Sequence, residues 1–525
     1  MRLIGINIKN FMSIKHLNLD LDAELDDQTF TLIGINESGK SSILQAIALF
    51  SGENTPVYPH DYYNQDESIE VSFTYKMNIS SKKQIRDLLV SKGLNNKHAK
   101  NLSIEDFTIS ISYSPENPAA LSKRLSLGDI KKFPSIRDYS IVSGFLVDES
   151  DKEKVIPEST ENEEEIVEET LKDYIENNLI KDFWDLSQKV TFWKSESKYL
   201  ITSSIDIDAF ATNPAEISIP LRNCFELSGI VDIPKRLNMT KGNPNEKSDL
   251  GGLLSDNVTN HIRKIWPEHK VQIKFQIDES TISFLVMDEG VKHQSKRVSQ
   301  RSDGFRQFVS FLLTISAENS TEKLSNNILL IDEPETHLHP EGQKDLLKEL
   351  IGITKNKRNN IVIFATHSNH MIDRENITRC RRVIKKNNEH TEIEPLEAKV
   401  MSYAAVNYNV FNIVTSDYHS ELYGYLHGKY IEQDDTDENR EKITKFEEEI
   451  LGKVKGMKKK DWIRFNGKED KKISICTYIR HCNSHPEAAT KHNQEYSEDE
   501  LKESIRFLEA ELKKMENKSL KNNYE

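Results

Sequence analysis

Hydrophobic positions change their spacing several times along the chain. Near the start, "RLIGINIKNF" predicts a strand, and "FTLIGINESGKSSILQAIALF" predicts strand, glycine loop and helix in succession. "IEVSFTYKM" predicts another strand, "SSKKQIRDLLVSKG" a helix and "FTISISYSP" a strand. The acidic stretch "DESDKEKVIPESTENEEEIVEETLKDYIENN" predicts a solvated loop that passes into an acidic helix. Order returns at "VQIKFQIDESTISFLVMDEG", a hairpin, and "RSDGFRQFVSFLLTISAE", a glycine turn entering an apolar-faced helix. "NNILLIDEPE" and "NIVIFATHS" are almost unbroken apolar runs, separated by the helical "GQKDLLKELIGITKN". Strands buried on both faces and alternating with helices imply a parallel α/β sheet. Both runs end in polar residues, and ligands bind at the carboxyl ends of such strands. From about residue 415 the strand signals fade. "YHSELYGYLHGKYI", "ENREKITKFEEEILGKV", "KISICTYIRHCNS" and "SEDELKESIRFLEAELKKM" predict four helices, the last with Ser497 and Glu500 as a capping box. They make a separate helical domain, 415–525.

Composition narrows the class. A chain of 525 residues is long enough for several cores. With 36% hydrophobic and 30% charged residues, and no apolar run of about 18, a membrane-spanning helix is not expected. The start lacks the basic and small-residue signals of a secretory leader, so the expected compartment is the cytoplasm. Four scattered cysteines, none in a C-x-x-C pair, point the same way and argue against a zinc site. The net charge of -14 excludes indiscriminate coating of nucleic acid, so any such contact needs a local basic patch.

The sharpest chemistry lies in "GINESGKS", Gly34 to Ser41, which fits G-x-x-x-x-G-K-[ST] between a strand and a helix. Gly34 and Gly39 let the backbone curl around a β-phosphate, with Asn36, Glu37, Ser38 and Ser42 completing the loop. Lys40 places a cation by the β- and γ-phosphates, and Ser41 offers a hydroxyl to Mg²⁺. The helix start adds its positive end. ATP and Mg²⁺ are the expected ligands. Asp332, at the end of "ILLIDE", would hold the metal, and Glu333 would orient or deprotonate the attacking water. His367 of "FATHS" ends the next buried strand, within reach of a γ-phosphate.

Taken together these motifs resemble the ABC-type ATPase heads of the SMC/RecF and OLD-like group, over residues 1–80 and roughly 280–390. "MRLIGINIKNFMSIKHLNL" looks like the group's opening, "IDEPETHLHP" like its Walker B and D-loop, and "ATHS" like its switch histidine. "RSDGFRQ" looks like a variant signature loop, with Ser302 and Gly304 in the usual serine and glycine places. The resemblance implies an ABC-type P-loop α/β head with an inserted α/β region, followed by an all-α C-terminal domain. Its lobes would be 1–80 and 281–400, with 81–280 inserted. It implies a Q-loop glutamine on the metal, for which Gln65 in "YNQDE" is the candidate. It also implies a homodimer or higher homo-oligomer, with ATP held between Lys40 of one subunit and Ser302 with Gly304 of another. Such heads occur in anti-phage systems, where the ATPase controls a separate nuclease, as the Septu ATPase does with its HNH partner. A RecF-like DNA-repair ATPase is an alternative, disfavoured by the acidic charge and the absence of sustained heptads.

The tail raises another alternative. "RHCNSH" sets Arg480 and His485 in R-x-x-x-x-H spacing. Five helical residues turn the two side chains roughly 140° apart, but Pro486 biases His485 out of the helix, which should end near Ser484. The pattern looks like HEPN-fold ribonucleases, and anticodon nucleases of the PrrC and RloC type join such a tail to an ABC-type ATPase. Arg480 would then neutralise a scissile phosphate and His485 would move a proton. The competing expectation is a helix cap in a docking domain. The basic run "KVKGMKKKDWIRF", with Trp462 and Phe465, would hold RNA phosphates or simply be solvated. His481 and His485 lack a third ligand for zinc.

Overall fold

The computed structural model describes the chain outside residues 22–27, 52–56, 129, 132–138, 143–144, 149–170, 194–198, 266–270, 289–294, 298–305, 307–308, 312, 314–325, 337, 356–358, 397–401, 433–444, 448–450, 452–456, 464–470, 485–494 and 523–525. It divides into two compact units, Met1–Lys399 and Val400–Glu525. The first is an α/β P-loop head region and the second is more helical.

The head is built on a six-stranded sheet in the order Lys189–Trp193, Asn327–Asp332, Ile361–Thr366, Thr29–Ile33, Cys380–Lys386 and His390–Pro395. The first five run parallel and the last closes an antiparallel hairpin. Every residue of Ile361–Thr366 and Thr29–Ile33 is buried, which is why these strands read as unbroken apolar runs. Parallel pairing carries Ile33, Asp332 and Thr366 to the same end of the sheet. The residues that follow them therefore converge without any long-range loop.

A five-stranded antiparallel sheet lies in the order Ile14–Asp20, Arg2–Phe11, Ile69–Lys76, Asp106–Ser114 and Asn117–Leu127. This corrects the expected domain plan. Residues 81–280 are not one insertion, because "FTISISY" pairs along its length with Ile69–Lys76. Its alternation buries Phe107, Ile109, Ile111 and Tyr113 in the same core as Phe73 and Tyr75. Lys189–Trp193 likewise belongs to the central sheet. The part with a core of its own begins near Ile201. There a small sheet of Ser204–Asp206, Thr281–Asp288, Val271–Ile277 and Ser295–Arg297 packs on the helix Pro244–Ile265. Val271–Ile277 is an edge strand, and the helix satisfies it: Ser255 accepts from the Phe275 amide, and Thr259 bonds both the amide and the carbonyl of Ile273. The acidic stretch is described only from its helix, Leu171–Asn178, which buries Leu171, Tyr174 and Ile175.

The second unit starts at Val400, ahead of the expected residue 415, because Ser402 caps a further helix, Tyr403–Asn409. Three of the expected helices are described, as Ser416–Glu432, Ile475–Ser484 and Glu498–Asn522. "ENREKITKFEEEILGKV" falls mostly outside the described residues. The unit is not all-α: Lys459–Trp462 and Lys471–Ser474 form an antiparallel hairpin. The capping box is present, with the Ser497 amide on Glu500 at 3.0 Å and the Glu500 amide on the Ser497 hydroxyl at 3.2 Å. Glu500 also binds Lys458 at 2.6 Å and Lys460 at 2.7 Å. Burial pushes its carboxyl pKa up, but these bonds outweigh that and hold it down at about 2. Among the described residues, no helix is long and apolar enough to cross a membrane.

Candidate functional site

The loop after Thr29–Ile33 wraps into the helix Lys40–Ala48, and both motif glycines have a steric reason. A Cβ on Gly34 would lie 2.4 Å from the Val383 carbonyl oxygen. Gly39 has φ +103°, and a Cβ there would lie 2.1 Å from Thr391 Oγ1. Thr391 is fully buried and braces the loop: its hydroxyl donates to the Ser38 carbonyl at 3.1 Å and meets Ser13 Oγ at 2.8 Å. The helix start has no capping side chain and no acid in its first turn, so its amides are open to an anion. We expect Gly39→Ala to weaken ATP binding at least about tenfold, since alanine at this φ costs about 1–3 kcal/mol and must displace Thr391 as well. Nucleotide titration beside circular dichroism, to show the fold intact, checks this.

The candidate catalytic groups arrive from the adjoining strands. Glu333 follows Asn327–Asp332 with φ +48°, its amide donating to the Ala365 carbonyl at 3.0 Å. His367 follows Ile361–Thr366. Its Nε2 lies 2.7 Å from Glu333 Oε1, and its Nδ1 lies 3.3 Å from Lys40 Nζ. An ammonium only donates, so Nδ1 accepts, the ring proton sits on Nε2, and Nε2–H donates to Glu333. Lys40 also donates to the carbonyls of Gly34 and Ile35, each at 3.0 Å. Lys40 is buried, which lowers its pKa to about 8 against the opposing pull of Glu333, Asp332 and Glu335.

These residues fit a magnesium nucleotide. Burial raises the Asp332 pKa, while a bond from the Ser41 hydroxyl and the nearby Lys40 and His367 resist it. Asp332 Oδ1 is buried without a hydrogen-bond partner. A hydroxyl beside a carboxylate with an unused oxygen suits Mg²⁺, a hard cation that takes oxygen ligands. When bound, the ion would offset phosphate charge. The adjoining cavity, about 670 Å³, is lined by Asn36, Glu37, Ser38, Gly39, Lys40, Ser41, Ser42, Glu333 and His367. All were expected from the sequence. Met12, Ser13 and Lys385 also line it and were missed. They come from the turn after Arg2–Phe11 and from the strand Cys380–Lys386, which carry no phosphate-binding motif.

Gln65 is not brought to the cavity. It sits on an exposed turn, its amide directed to the Pro59 carbonyl at 3.5 Å, and it is absent from the cavity wall. The positive-φ turn at Met12 and the pairing of Phe11 with Tyr62 fix that segment beside the opening strand. Ser302 and Gly304 lie outside the described residues.

In the tail, helix Ile475–Ser484 is described as far as Ser484, and His485, Pro486 and Phe465 lie outside the described residues. Arg480 is partly exposed. Its Nη1 lies 3.4 Å from Glu447 Oε1, which also accepts from the Tyr423 hydroxyl at 2.9 Å. Trp462 is buried and stacks on His481 at 5.1 Å. Two lysines of the basic run, Lys458 and Lys460, are tied to Glu500 and serve the packing of the unit itself.

Over 138 residues the chain is 26% identical to an uncharacterized protein of Methanocaldococcus jannaschii, covering 25% of this chain and 35% of that protein. Over 114 residues it is 29% identical to the Old nuclease of Escherichia phage P2, covering 21% of this chain and 19% of the nuclease. The matched segment thus spans only about a third of the first relative and about a fifth of the second. Similar solved structures include the SMC head domain from Thermotoga maritima, at 12% identity and TM-score 0.36, over 76% of this chain and 100% of that one. Another is the Smc head domain with an extended coiled coil bound to the C-terminal domain of ScpA derived from Pyrococcus furiosus. It aligns at 12% identity and TM-score 0.38, over 75% of this chain and 96% of that one. Residues 1–372, most of the chain and including the phosphate loop, Asp332, Glu333 and His367, match the AAA ATPase domain, and the chain belongs to that family.

Proposed function

We propose that the protein binds and hydrolyses ATP as an ABC-type head, that it dimerises around the nucleotide, and that this switch controls a nuclease effector in anti-phage defence. The observation that carries the hydrolytic part is His367 lying between Lys40 at 3.3 Å and Glu333 at 2.7 Å, over the phosphate loop. Glu333 takes the proton of the attacking water, His367 holds Glu333 in place and reaches toward the γ-phosphate, and Lys40 neutralises phosphate charge. Asp332 and Ser41 would hold Mg²⁺. In the dimer, Ser302 and Gly304 of the second subunit would close on the nucleotide. ATP biases the two states only through unequal affinity for them.

The effector is a separate nuclease subunit, of HNH type by the resemblance, and the tail is its docking or assembly domain. Two observations favour this over a ribonuclease tail: Arg480 already faces Glu447, and Lys458 and Lys460 are held by Glu500. The test uses purified full-length protein with Mg-ATP and labelled tRNA. The docking reading predicts no cleavage, and wild-type cellular toxicity and ATPase rates for Arg480→Ala and His485→Ala. Cleavage that both substitutions abolish, with ATPase activity intact, would establish the ribonuclease reading instead.

A further inference from the structure

His367 stands one residue beyond the strand Ile361–Thr366, where the sheet ladder has run out: pairing with the neighbouring strand ends at Asp332 opposite Ala365. Something else must hold its backbone. The side chain that does so is Glu335, buried on the turn that also carries Glu333. Glu335 Oε1 accepts the His367 amide at 3.0 Å and the Thr366 hydroxyl at 2.5 Å. Thr366 Oγ1 in turn accepts the Ser368 amide at 3.0 Å. Three successive residues, Thr366 to Ser368, are therefore arranged around one carboxylate.

The same turn fixes the other member of the pair. The Glu333 carbonyl accepts from the Thr336 amide at 3.3 Å and from the Thr336 hydroxyl at 2.9 Å. One short turn thus sets the backbone of Glu333 directly and the backbone of His367 through Glu335. We propose that Glu335 is a positioning residue for ATP hydrolysis, holding His367 in register with Glu333. A core carboxylate serving only stability would be a costly choice. Burial raises its pKa, against the bonds from Thr366 and the His367 amide, and its Oε2 has no hydrogen-bond partner. A misplacement of about 1 Å in a catalytic pair can cost on the order of 100-fold in rate.

The inference rests on the hydrolytic roles of Glu333 and His367, and the experiment separates the two. Steady-state hydrolysis and nucleotide affinity are measured on full-length His367→Ala, Glu335→Ala, Thr366→Val and Thr366→Ser. Glu335→Ala is expected to lower kcat at least about tenfold while ATP affinity stays within about threefold. Thr366→Val should show a smaller fall that Thr366→Ser, which keeps the hydroxyl, largely restores. Wild-type kcat in a folded Glu335→Ala, with His367→Ala impaired, overturns the inference alone. An unimpaired His367→Ala overturns the hydrolytic reading beneath it. If Glu335→Ala does not fold, the Thr366 pair decides: equal kcat for valine and serine overturns the proposal, and rescue by serine supports it.

Discussion

Replacing Glu333 by glutamine is expected to lower ATP turnover by about 100- to 10,000-fold, the range expected for loss of a general base, while leaving ATP affinity nearly unchanged. Glutamine has almost the same shape, and its carbonyl oxygen can still accept from His367 Nε2, now 2.7 Å from the carboxylate. What it cannot do is take a proton. The backbone should tolerate the change, because φ +48° at this position is fixed by the bond to the Ala365 carbonyl and not by the side-chain charge. The loop glycines and the Ser41–Asp332 pair are untouched and Lys40 keeps its bonds to the Gly34 and Ile35 carbonyls, so binding should persist. Phosphate release, read beside fluorescent-nucleotide titration, separates the two effects. A turnover within tenfold of wild type would place the base elsewhere. The same variant tests the dimer, since blocked hydrolysis should trap the ATP-bound form. A species that stays monomeric in sedimentation with saturating ATP would exclude the sandwich arrangement.

The two parts of this site differed in how far the sequence disclosed them. The phosphate loop, Asp332, Glu333 and His367 were legible because each follows directly on a strand whose unbroken apolar run marks it as buried in a parallel sheet. Thr391, Ser13 and Lys385 were not, because they reach the loop by long-range pairing: Thr391 and Ser13 are 378 positions apart in the chain, yet their hydroxyls are hydrogen-bonded at 2.8 Å. Glu335 left a faint signal as the third acid of "DEPE", but nothing local says that it turns inward to Thr366 and His367. The hairpin Lys459–Trp462 with Lys471–Ser474 was hidden by its lysines, which look solvated until Glu500 is seen between Lys458 and Lys460. The strand Lys189–Trp193 is only five residues long and borrows its register from Asn327–Asp332. Short edge elements take their structure from their partners, and single-sequence periodicity does not reach that far.

The largest loss of binding is expected at Lys40. The residue is only 4% exposed, and its ammonium spends its hydrogen bonds on the carbonyls of Gly34 and Ile35 and on His367 Nδ1. A triphosphate would replace those neutral carbonyls with charged oxygens, and each bond to a charged acceptor is worth about 1.5–3 kcal/mol. Lys40→Ala should therefore weaken ATP binding on the order of 100-fold. The titration of Lys40 gives a second, independent expectation. Burial lowers its pKa to about 8 in the free protein. Anionic phosphate favours the ammonium, so the pKa in the complex must be higher. The protonated form is the one that binds. Affinity is thus fully present below about pH 8 and falls as pH rises above it, by at most about tenfold per unit until the pKa of the complex is reached. Lys40→Arg, whose guanidinium stays charged, should flatten that fall even if its fit is poorer. Titrations between about pH 6.5 and pH 9.5 read the effect, since the nucleotide's own phosphate ionisation is complete by the upper half of that range. An affinity that stays level above pH 8 in the wild type would mean that Lys40 does not carry the phosphate charge. The bonds it makes to the loop would then be purely structural.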